Sequence, residues 1–105
     1  MGAVSKIQIK YGCNFTTAIK VKGISDFLME HREKLLKILN IREWHTMDVL
    51  ITESDNVLDM EERKELCWYI SEHEEPLLEA LKQNDADGIQ EYVIGFLNSQ
   101  KGQED

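Results

Sequence analysis

Apolar and polar positions alternate along residues 5–23. Ile7, Ile9 and Tyr11 share one side of an extended chain, with Lys6, Gln8 and Lys10 on the other. Beyond the connection Tyr11-Gly12-Cys13-Asn14, Phe15, Thr17, Ile19 and Val21 share one side, and Thr16, Ala18, Lys20 and Lys22 the other. A period of two on both arms of a short connection predicts an antiparallel β-hairpin with one buried face. A hairpin of this size needs a cover to be stable.

The next segment supplies one. Over residues 24–39, Ile24, Leu28, Leu35 and Leu39 recur at helical spacing, widened by Phe27, Leu36 and Ile38. Ser25 or Asp26 is a candidate N-cap and Asn40 the stop of this amphipathic helix. His45, Met47, Val49 and Ile51 then fall on one side of a third strand; a short helix fits the same cluster less well, because Thr46, Val49, Ile51 and Thr52 are β-branched and favour an extended chain, and strand and helix both stay open for residues 45–52. The remainder reads as helical. Asp59 with Glu62 has capping-box spacing, and Leu66, Cys67, Tyr69 and Ile70 form an apolar stripe. Pro76 is tolerated only in a first turn, which predicts a break near residues 72–75. Asp87 with Gln90 repeats the capping-box spacing ahead of Ile89, Tyr92, Val93, Phe96 and Leu97.

The expected order is therefore β-β-α-β-α-α-α. It makes an α+β domain, residues 1–98, in which three to four helices pack on a small antiparallel sheet, followed by a polar flexible tail, residues 99–105. Lysines on the open face would keep the sheet edges from pairing with other chains.

Composition supports a folded chain: of 105 residues, 42% are hydrophobic and 30% charged. No apolar run approaches the ~20 residues of a membrane helix, and the first residues lack the pattern of a secretory signal. A cytoplasmic protein without membrane contact is expected. The cysteines, Cys13 and Cys67, have no paired spacing and are read as free thiols.

Charge changes the picture further. The formal net charge is -8, yet residues 1–42 carry eight bases against three acids and residues 43–105 four against seventeen. Such a bipolar chain bears on partner choice and leaves open a salt-sensitive homo-oligomer in which basic and acidic faces meet.

Little in the sequence points to catalysis. The glycines are scattered rather than grouped in a phosphate-binding loop. His31, His45 and His73 lack the spacing of a metal site, so neither metal nor cofactor is expected. A small enzyme using His73 with its flanking carboxylates, or Cys13 as a nucleophile, is the remotest alternative. Carboxylates are the commonest polar feature, most of them between residues 53 and 91. Near their middle, Leu66-Cys67-Trp68-Tyr69-Ile70 cannot all be buried on one helix stripe. Trp68 either points outward, as aromatic hot spots ringed by charge do, or fills a groove under a neighbouring helix.

These features favour a small acidic protein-binding modulator, of the kind that serves as an inhibitor, an immunity-type protein or a phage or mobile-element regulator. Its partner would be another protein with a basic surface. The expected contact residues are Glu61, Glu62, Glu65, Trp68, Glu72, Glu74, Glu75 and Glu79, and the acidic face would double as a nucleic-acid mimic if its carboxylates stood at phosphate spacing. The alternative is nucleic-acid binding by the hairpin through Lys6, Lys10, Lys20 and Lys22. Against it stand the net negative charge and the lack of arginine on the hairpin.

Overall fold

In the computed structural model, which describes residues 2–103 and the side chains of residues 2–100, the connection at Gly12 joins two helices rather than two strands. The described residues form seven helices and no strand: α1 (Ala3–Tyr11), α2 (Phe15–Glu30), α3 (Arg32–Ile41), α4 (Trp44–Glu53), α5 (Met60–Glu72), α6 (Glu74–Lys82) and α7 (Ala86–Gln103). The α+β expectation is thus corrected to an all-helical domain.

The physical reason lies in the first 23 residues. Five alternating residues fit a period of two and a period near 3.6 almost equally well, and the longer pattern decides. Val4, Ile7 and Tyr11 face inward at helical spacing, as do Ala18, Val21, Ile24, Ser25 and Leu28. The stripe of α2 continues past Gly23, where the alternation stops. Ile9 and Phe15, assigned to the buried face of the hairpin, are 70% and 61% exposed. Gly12 takes the left-handed conformation that ends a helix (φ 62°), and Asn14 caps the next, its side chain accepting from the Thr17 N–H at 2.8 Å. Glycine and asparagine serve helix ends and hairpin turns for the same conformational reasons.

The third strand is corrected likewise. In α4, Met47, Leu50 and Ile51 are buried at i, i+3 and i+4, so core packing overrides β-propensity. Thr52 is accommodated because its hydroxyl donates to the Asp48 carbonyl one turn back, at 2.7 Å. The helix expected over residues 24–39 is divided. Ser25 and Asp26 lie inside α2, the break falls at His31, and α3 ends at Arg42 in the left-handed region (φ 55°) rather than at Asn40.

Other ends match the sequence. Asp59 and Glu62 form the expected capping box, and Pro76 occupies the first turn of α6 just after the break at His73. The α7 cap is corrected: Asp85, not Asp87, accepts from the Gly88 N–H at 3.1 Å. Helix α7 continues through Gln103.

The core sits around α2 and α7, which pack along each other, with α1 against α2 and α6 against α7. Helix α3 bridges α6 and α4, and α4 lies along α5. Two arginines tie the irregular segments to the core. Arg32 donates to the Leu81 and Lys82 carbonyls at the end of α6, and Arg63 to the Thr52 and Leu58 carbonyls around the α4–α5 loop. That loop sets Val57 against Gly23 of α2 so closely that an added Cβ there would fall 2.5 Å from a Val57 methyl. The loop and the capping box together hold α5 at the edge of the molecule. No helix among the described residues is long and apolar enough to cross a membrane.

Candidate functional site

Helix α5 buries only Leu66 and Ile70. At 3.6 residues per turn, Glu61, Glu65, Trp68 and Glu72 fall within an arc of roughly 60° on its opposite side. Trp68, at 67% exposed, stands out as a ridge between carboxylates one turn before and after it. Among the described residues, Glu61, Glu65 and Glu72 form no ion pair.

The two flanks of this ridge differ. Toward α4, Cys67 and Ser71 face Trp44 and Asp48, which are themselves one helical turn apart, and with Lys64 they line a groove of about 400 Å³. Its floor is mainly apolar. Burial, reinforced by the Asp48 carboxylate, pushes the Cys67 thiol above its ordinary range and keeps it protonated at neutral pH. Toward α7, Glu65, Glu72, Tyr69, His73, Ser99 and Gln100 surround a polar recess of about 330 Å³ that also touches Trp68. Among the described residues, no lysine or arginine lines this second recess.

The recess has a stiff wall. The Tyr69 ring lies 4.4 Å from the His73 ring and packs edge-on to Tyr92 at 5.3 Å and Phe96 at 5.4 Å. The Tyr92 hydroxyl donates to the His73 carbonyl at 2.9 Å, tying the α5–α6 break to α7. Burial, with a smaller contribution from Tyr69, raises the Tyr92 phenol far above its usual range, and burial also raises Tyr69.

Only part of the expected acidic surface is assembled here. Glu61, Glu65, Trp68 and Glu72 share one face. Glu62 turns to the side and pairs with Lys20 at 2.6 Å, while Glu74 pairs with Arg42 at 2.6 Å. Glu75 and Glu79 are exposed on α6, beyond the break at His73, and Glu79 accepts from Gln83 at 3.4 Å. Trp44, Asp48, Cys67 and Ser71 were not singled out as contact residues. The i, i+4 spacing of Trp44 and Asp48 would have flagged them, had residues 44–53 been read as a helix.

The lysine face of the expected hairpin is not assembled, because its scaffold is helical. Lys6 and Lys10 lie on α1, and Lys20 and Lys22 lie on well-separated sides of α2. Lys10 bridges Asp87 at 3.3 Å, Lys20 bridges Glu62, and Lys22 bridges Asp26 one turn on. Cys13 is half-buried between α1 and α2 with its thiol toward the Ile7 carbonyl, and His73 is held by Tyr69 at another corner. Among the described residues, no three His, Cys, Asp or Glu side chains stand close enough together to hold a metal ion. His31 packs against Phe27 at 4.8 Å, and His45 is exposed on α4.

No protein-family model, curated protein or solved structure matches this chain.

Proposed function

We propose that this protein is a non-enzymatic cytoplasmic binding module that docks the exposed face of α5 onto a basic surface of another protein and so modulates it. One observation carries the reading: an exposed indole on α5 flanked by carboxylates that, among the described residues, form no ion pair. Carboxylates at such a face accelerate encounter and select the partner, and a central aromatic supplies the larger share of affinity.

Helix geometry favours a basic protein over nucleic-acid mimicry. Glu61 and Glu65 stand about 6 Å apart along the axis, but Trp68 interrupts the row before Glu72. The lysines lend little support to nucleic-acid binding, since Lys10, Lys20 and Lys22 are each engaged by a carboxylate.

The test is affinity capture from lysate of the source organism at low and high salt, comparing wild type with Glu65→Lys/Glu72→Lys and Trp68→Ala, each checked for folding by circular dichroism. A basic protein held at low salt and lost in both folded variants is the expected result. Retention of nucleic acid instead, or of the same protein by all three forms, would sink the proposal. Sedimentation of the purified chain in the same buffers separates self-association, which should weaken with salt if opposite charges drive it.

A further inference from the structure

Trp68 separates an apolar groove from an acidic recess, and this asymmetry specifies more about the partner than charge does. We infer that α5 is straddled by an amphipathic segment of the partner that places an aliphatic side chain in the α4–α5 groove and an arginine in the recess toward α7. The inference rests on the proposed binding role of the α5 face and gives the chemistry of its occupant.

The groove accepts an apolar group because its lining, to which Trp44, Trp68 and Cys67 contribute, is mainly apolar. Desolvating such a concavity against a methyl-bearing side chain is favourable at about 25 cal/mol per Å² of apolar surface covered. With Lys64 and Asp48 both lining it, the groove offers no net negative charge to attract a cation. The recess has the opposite character. Glu65 and Glu72 stand one turn before and after Trp68, Tyr69 adds a second ring, and among the described residues no lysine or arginine lines the recess. A cation resting on the Trp68 ring gains from the ring's quadrupole and from carboxylates on both sides. Arginine suits the position better than lysine, because a guanidinium is planar, stacks on an aromatic face and bonds a carboxylate through two donors at once. Side chains three or four residues apart on a helix have Cβ atoms about 5–6 Å apart, a span that fits across one indole edge. The occupant is therefore a helix bearing a leucine-like residue and an arginine one turn apart.

The experiment uses the full chain and a set of synthetic helical peptides carrying leucine and arginine four residues apart in either order. Binding is followed by calorimetry and by the indole N–H resonances of Trp44 and Trp68. Replacing the peptide leucine by alanine, or its arginine by glutamine, should each weaken binding roughly tenfold, and lysine for arginine by a smaller factor. On the protein, Glu65→Gln/Glu72→Gln should abolish the difference between the arginine and glutamine peptides. Trp44→Leu should abolish that between leucine and alanine, and Ser71→Tyr, which blocks the groove from its rim, repeats this test without altering the core.

Binding that depends on the carboxylates but ignores the peptide leucine and both groove variants would overturn the two-sided occupant and leave the acidic-face reading standing. Failure of every peptide while the wild type still captures a basic protein would do the same. Failure of peptides and capture together would remove both.

Discussion

Helices α2 and α5 both carry charges, yet they use them differently. Six of the sixteen residues of α2 are buried, and its lysines at 20 and 22 are matched by Glu62 and Asp26. Only two of the thirteen residues of α5 are buried, and its outer face leaves three carboxylates and a tryptophan to solvent. The difference separates a helix that holds the fold from one that is held by it. Surface ion pairs such as those of α2 contribute little individually, so its place in the fold rests on its buried residues.

The sharpest way to break the comparison is a pair of truncations. Leu28→Ala removes a fully buried side chain from α2 and should cost about 2–5 kcal/mol, a large part of the stability of a domain this size. Trp68→Ala removes a larger side chain from α5 and should change stability by less than about 0.5 kcal/mol. Urea melts of both variants decide the matter, and a Trp68→Ala cost near that of Leu28→Ala would make Trp68 part of the scaffold.

The wall behind α5 gives a second test. Tyr92→Phe loses the hydrogen bond to the His73 carbonyl and should cost about 1 kcal/mol at neutral pH. It should also flatten the alkaline limb of the stability profile. The Tyr92 phenol is raised in the folded state, so the unfolded chain releases its proton first. The stabilisation is complete below the ordinary tyrosine range and is lost as pH rises above about 10. Equilibrium melts of wild type and variant between neutral and strongly alkaline pH measure it, and parallel curves would exclude Tyr92 as the cause.

A third test concerns the cap that orients α7 under that wall. Asp85→Ala should destabilise by about 1 kcal/mol, whereas Asp87→Ala, which loses an exposed bridge to Lys10 and a favourable place in the first turn, should cost only ~0.5 kcal/mol. Reversal of that order in thermal melts would return the cap to Asp87. The smallest effect belongs to α2 itself. Its Ser25 hydroxyl is buried without a partner, so Ser25→Ala should raise stability by ~0.5–1 kcal/mol, and an unchanged melting temperature would mean that the hydroxyl is satisfied in solution.

Much of the second half of the chain was legible residue by residue. The Asp59–Glu62 box, the break before Pro76 and the inward set Ile89, Tyr92, Val93, Phe96 and Leu97 rest on local chemistry and on patterns long enough to name their period. The first half misled because its segments are short and β-branched. Over so few residues, Ile7, Ile9 and Tyr11 alternate and Val4, Ile7 and Tyr11 wind, and nothing local prefers one set. The same ambiguity hid part of the candidate site: with residues 45–52 read as a strand, Trp44 and Asp48 would stand about 13 Å apart along an extended chain rather than one helical turn apart, and the groove beside Trp68 could not be seen.

What the sequence determined by itself is the size of the object, its excess of acid, the positions of several helix ends and the crowding of apolar residues that forces one of residues 66–70 outward. Tertiary structure alone decided that it is Trp68 that is exposed, and which carboxylates accompany it. Both depend on where α5 meets α2, α4 and α7: Lys20 draws Glu62 aside, Arg42 draws Glu74, and the break at His73 places Glu75 and Glu79 on α6. Local sequence sets the period of a helix. Which arc of that helix is covered depends on neighbours far away in the chain, because burial is a property of the packed assembly.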